Sequence, residues 1–91
     1  MPLFSSEQIQ ARLKSLPEWK LEDGVIVREF EFGDFALAIS FVNAVAEQAE
    51  QAGHHPDIDI RYNRVRLALT SHDAGGLTNR DFDLADAINA L

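Results

Sequence analysis

Three histidines, His54, His55 and His72, are the chain's best equipment for chemistry. Imidazole, with an unperturbed pKa of about 6.5, both accepts and donates protons near neutrality. There is no cysteine, which excludes thiolate catalysis, disulfides and zinc–thiolate sites. His54 and His55 follow a helical stretch closed by Gly53, and His72 follows a strand. His54 and His72 stand eighteen positions apart, and the stretch between them holds one strand running out and another running back. A hairpin returns to the end it left, so the His72 loop is expected beside the His54–His55 loop. Two imidazoles flanking one substrate would take a proton on one side and deliver one on the other. A single histidine in a polar loop is ordinarily just solvated. Three brought together by a hairpin favour a site.

Three imidazoles also suit zinc. Adjacent histidines point apart, however, and this set lacks the i, i+4 spacing that chelation on regular elements prefers, so no metal is expected. Glu50 stands four residues before His54 and has the reach to orient an imidazole, as a supporting carboxylate does. On spacing alone an exposed charge on the last turn of a helix is the better reading. Asp81, three residues after Thr78, fits a capping box, a role compatible with holding a histidine. Gly75-Gly76 lacks the lysine of a phosphate-binding loop and reads as a turn. Asp57, Asp59, Asp83 and Asp86 read as solvated faces.

The elements that position these groups follow one another with short turns and no repeat or linker. Ser5 and Gln8 form a capping-box pattern ahead of Ile9, Leu13 and Leu16, and Pro17 ends that helix. Trp19 and Leu21 make a short strand, Asp23-Gly24 a hairpin turn, and Val25 to Phe32 a second strand. Its face of Ile26, Phe30 and Phe32 is broken by Arg28. Gly33-Asp34 opens the longest helix, with Phe35, Ala38, Val42, Val45 and Ala49 as its buried stripe and Gly53 as its C-terminal cap. Leu37 and Phe41 form a second apolar stripe, more than one core requires. Ile58, Ile60 and Tyr62 alternate with Asp57, Asp59 and Arg61; Asn63-Arg64 reads as a two-residue turn before Val65, Leu67 and Leu69. Thr78 caps a last helix that turns Phe82, Ala85 and Ile88 inward. The order α-β-β-α-β-β-α predicts an α+β fold: a four-stranded antiparallel sheet with three helices packed on one face.

At 91 residues the chain is one domain, 1–91. A domain of this size buries only about two-thirds of its unfolded surface, so its elements share a single core. Its 46% apolar content argues against disorder. Fifteen acidic residues against eight basic ones give a net charge of −7, a poor footprint for direct nucleic-acid or anionic-membrane binding. The absence of cysteine tilts the expected location to the cytoplasm. Met1-Pro2-Leu3-Phe4 lacks the basic and apolar regions of a signal peptide, and Phe35 to Ala46 is too short and too interrupted to span a bilayer.

The run Glu50-x3-His54-His55-Pro56-x5-Tyr62-x9-His72-x8-Asp81 resembles the signature of the pterin-4a-carbinolamine dehydratase family. Phe30-Glu31-Phe32-Gly33-Asp34-Phe35, Tyr62-Asn63-Arg64-Val65 and Gly76-Leu77-Thr78 extend the likeness from about Leu13 to the end of the chain. Ile58 departs from it, standing where many relatives carry a bulkier aromatic. The resemblance implies the fold read above and a hydro-lyase activity: dehydration of 4a-hydroxytetrahydropterin to quinonoid dihydropterin and water, the step that recycles the pterin of aromatic amino acid hydroxylases. It implies no metal and no organic cofactor. By motif it makes His54, His55 and His72 the active-site histidines, with Glu50 and Asp81 supporting them. Pro56, Ser71 and Asp73 are expected at the substrate, where backbone groups near Ser71, His72 and Asp73 would hydrogen-bond the edge of the pterin. It also implies a homodimer or homotetramer, in keeping with the surplus stripe at Leu37 and Phe41. Animal relatives double as a dimerisation cofactor for a homeodomain transcription factor, a role that does not transfer by motif. The alternative to an enzyme is a non-catalytic partner-binding or transcriptional cofactor module on the same fold.

Overall fold

A computed structural model describes residues 2–91; Met1, the start of the N-terminal stretch read above, lies outside the described residues. The elements run α1 (Ser6–Leu13), β1 (Lys20–Glu22), β2 (Val25–Glu31), α2 (Phe35–Ala52), β3 (Asp57–Arg61), β4 (Arg64–Leu69) and α3 (Asn79–Asn89). Three helices and one four-stranded antiparallel sheet result, with spatial strand order β1-β2-β4-β3. The predicted fold class is the observed one.

Local chemistry explains most boundaries. Ser5 and Gln8 exchange hydrogen bonds at the start of α1. Asp34 accepts from Leu37 N at 2.9 Å to open α2, and Gly53, at φ +61°, closes it. Asp23 and Gly24 both have positive φ, the requirement of the tight hairpin turn between β1 and β2. The core gathers Ile26, Val65, Leu67 and Leu69 from the sheet, Ala38, Val45 and Ala49 from α2, and Phe82, Leu84, Ala85 and Ile88 from α3.

Several local expectations are corrected. α1 ends at Leu13, not at Pro17, and leaves the buried Leu16 beyond it. Trp19 precedes β1 instead of lying in it; it is buried, and its indole N–H donates to Asn89 Oδ1 at 2.9 Å. The turn between β3 and β4 is Tyr62-Asn63, not Asn63-Arg64, because Arg61 pairs with Arg64. Asn63 is committed elsewhere: its amide donates to Phe32 O at 2.8 Å and fixes the end of β2, while Tyr62 takes φ +51° and stands exposed. Phe35 is half-exposed, so the buried stripe of α2 begins at Ala38. Ile58 and Ile60 lie opposite the buried Leu67 and Val65, yet each is 37% exposed, since β3 is an edge strand that the helices do not fully cover. Arg28, which broke the β2 pattern, donates to Asn89 Oδ1 at 2.6 Å and lies over the Phe30 ring.

Candidate active site

The first turn of α3 is the foundation of the site. Thr78 is its N-cap, and its hydroxyl accepts from Arg80 N at 3.3 Å. Asp81 Oδ2 accepts from Thr78 N and from Ser71 Oγ, each at 2.9 Å, and the Thr78 hydroxyl donates to Ser71 Oγ at 2.8 Å. The second oxygen, Oδ1, lies 2.6 Å from His54 Nε2. Asp81, Ser71 and Thr78 are fully buried. A buried carboxylate is tolerated when its lone pairs are satisfied, and three donors do so here. The two roles expected of Asp81 therefore coexist: one oxygen caps the helix and the other holds the histidine.

An ionised carboxylate only accepts hydrogen bonds, so its partner His54 carries a proton on Nε2. The lone pair of the neutral ring then resides on Nδ1. His54 is itself 8% exposed and sits directly after Gly53, where His54 N donates to Ala49 O at 3.1 Å. The glycine turns the chain sharply off α2 and aims it back over α3. His55 is exposed, and its Nε2 pairs with Glu50 Oε2 across the helix cap. Glu50 thus orients His55, not the nearer-spaced His54.

His72 stands exposed on the loop between β4 and α3. That loop is tightly wound: Ser71 O accepts from Ala74 N, Gly75 N and Gly76 N, and Gly75 N also donates to His72 O. The convergence expected from the hairpin is met. Gly53, His54, His55, Thr70, His72, Asp73 and Arg80 line one cleft of about 380 Å³. A second cleft, about 320 Å³, lies between α2 and α3 and shares only His54 and Arg80 with the first; Gln48, Gln51 and Leu84 line it. All three imidazoles line the first cleft, whereas only His54 reaches the second. Among the described residues, no group of three His, Asp or Glu side chains is arranged to hold a metal ion.

The three residues expected at the substrate have different places. Pro56 is half-buried and is not on the cleft wall. Ser71 is fully buried, with its N–H, carbonyl and hydroxyl all engaged internally, so it supports Asp81 from below and has no group left for a ligand. Asp73 does line the cleft, but its carboxylate accepts from Arg80 Nη2 at 2.6 Å. This hydrogen bond, more than the charge of the guanidinium, holds the Asp73 carboxyl below the usual carboxylate range. Arg80 was not anticipated from the sequence. The available signal was a cation in the first turn of a helix, where the macrodipole disfavours positive charge.

Comparison with known proteins places the chain in a family. The family model described as pterin 4 alpha carbinolamine dehydratase matches residues 2–91. The chain belongs to this family. A protein of Acidobacterium capsulatum, provisionally named pterin-4-alpha-carbinolamine dehydratase, is 65% identical over 91 residues, covering 100% of this chain and 99% of its own. A like-named protein of Chloroflexus aurantiacus is 59% identical, covering 100% and 98%. Among solved structures, the transcriptional coactivator/pterin dehydratase of Brucella melitensis superposes with a TM-score of 0.92 at 33% identity, covering 97% of this chain and 96% of that one. A pterin dehydratase-like protein identified as a RuBisCO assembly factor in the alpha-carboxysome shares the fold, with a TM-score of 0.64 at 23% identity over 79% of this chain and 83% of that one. The same fold thus occurs in proteins whose names carry roles other than dehydration.

Proposed function

We propose that the chain dehydrates a 4a-hydroxytetrahydropterin to quinonoid dihydropterin and water, with His54 and His72 handling the protons. The observation that carries this reading is the shared cleft, in which His54, held by the buried Asp81, and the exposed His72 line the same space. Dehydration breaks the C4a–O bond as the lone pair of the neighbouring ring nitrogen forms a C=N bond. The nitrogen must lose a proton and the departing hydroxyl must gain one. His54, with its Nε2 committed to Asp81 and a lone pair on Nδ1, suits the base; His72, with no carboxylate partner among the described residues, suits the acid. His55, oriented by Glu50 at the rim, positions the ring. The reaction needs no electron acceptor, and protein groups supply both proton transfers.

The alternative reading, a partner-binding module, is favoured by the apolar side chains exposed at Leu37, Ile58 and Ile60. A scaffold needs Asp81 only as the cap of α3 and has no use for a second, exposed imidazole beside the histidine it holds, which favours the enzyme. The test is the rate at which the purified chain removes 4a-hydroxytetrahydropterin. Acceleration well above the spontaneous reaction is expected; a rate equal to buffer alone would leave the module.

A further inference from the structure

We propose that Arg80 is a positioning residue that latches the His72 loop to the helix that holds His54, and does so through Asp73. The inference builds on the dehydratase reading for its kinetic consequence, but its structural content stands apart from it. Residues 80 and 81 are consecutive in the first turn of α3. Asp81 grips His54 at 2.6 Å, and Arg80 grips Asp73, the neighbour of His72, also at 2.6 Å. One helical turn therefore holds both histidine-bearing segments and sets the spacing between them.

Two features show that this placement is not a packing accident. A cation in the first turn opposes the helix dipole, so Arg80 occupies an unfavourable position that some interaction must offset. Its Nε is also buried with no hydrogen-bond partner among the described residues, a cost that a differently directed side chain would avoid. What this orientation gains is the reach to Asp73. The Arg80 side chain is only 27% exposed while that of Asp73 is 72% exposed, so the better-held partner is the arginine and the loop is what it restrains. The loop's internal hydrogen bonds shape it but run only between residues 71 and 76. Apart from the Ser71 contacts at its base, the Arg80–Asp73 pair is what ties its His72 end to α3.

The test compares Arg80→Gln, Asp73→Asn, the double variant and Arg80→Lys. Amide hydrogen exchange of residues 72–76 should speed by roughly tenfold or more in Arg80→Gln and in Asp73→Asn, and no further in the double variant, because both changes break one contact. Exchange in β4 should not change. Arg80→Lys, which keeps a charge for Asp73, should restore most of the protection. In the dehydratase assay, kcat should fall by about 10- to 100-fold with KM nearly constant, since small misplacements of a proton-transfer group have that effect. Should Arg80→Gln fail to fold, Asp73→Asn, altered at an exposed side chain, gives the same reading. Unchanged loop exchange in Asp73→Asn would overturn the latch, as would lost kcat in Arg80→Gln alone with Asp73→Asn intact, which would make Arg80 a direct contact to substrate. Absence of turnover in the unaltered protein would instead count against the dehydratase reading, and the exchange data would still decide the latch.

Discussion

His54 and His72 are expected to divide the proton transfers, and replacing either with Ala should lower kcat by about 10²- to 10⁴-fold. If both act in one transition state, the double variant should lose less than the product of the two single losses. His55→Ala should raise KM more than it lowers kcat, because a rim contact contributes equally to ground and transition states. Steady-state kinetics on the four proteins checks all three statements. Asp81→Ala should be costly in a second way. It orphans the Thr78 N–H and the Ser71 hydroxyl and removes a helix cap, a combined loss of about 3 kcal/mol in urea unfolding, alongside lower kcat. At this scale the sequence was most readable. Histidine type, the hairpin between them and the Thr78–Asp81 spacing pointed to residues that the fold brings together. Ser71 was expected at the substrate and Arg80 was not singled out, because their places depend on which way a side chain turns, and spacing carries no such information.

Among the elements, helix ends were legible wherever a side chain or a glycine makes the boundary, as at Ser5, Asp34, Gly53 and Thr78. The β3–β4 turn was misplaced by a residue because asparagine is a strong turn former, whereas Asn63 uses its amide to bind Phe32 O and leaves the left-handed position to Tyr62. The alternation in β3 was read correctly, but alternation cannot tell an edge strand from a central one; only the order β1-β2-β4-β3 shows that Ile58 and Ile60 face a side the helices leave partly open. Gly53 links element to site. At φ +61° with nothing within 4 Å of a Cβ, its replacement meets no clash, only backbone strain. Gly53→Ala should therefore cost about 1 kcal/mol by denaturant midpoint, and Gly53→Asn less, because asparagine tolerates this conformation. His54 follows directly, so Gly53→Ala should also lower kcat beyond what its stability change explains.

Across the whole molecule, both sheet edges are unpaired among the described residues, and Leu37, Ile58 and Ile60 are exposed. Such features favour association, and we propose a homodimer or homotetramer. Sedimentation at micromolar concentration should give more than one chain per particle; a strict monomer would contradict it. No helix is long and apolar enough to cross a membrane among the described residues. Dialysis against a strong chelator should leave folding and dehydratase activity intact, and activity restored only by added zinc would contradict a metal-independent mechanism. The central claim is that one cleft presents His54 and His72 to opposite sides of a pterin ring. A crystal structure with a reduced pterin bound tests it most directly. The 4a carbon and its neighbouring nitrogen are expected between the two imidazoles, each within about 3 Å of a ring nitrogen directly or through one water. A pterin seated instead in the cleft between α2 and α3, beside Gln48 and Gln51 and out of reach of His72, would contradict it.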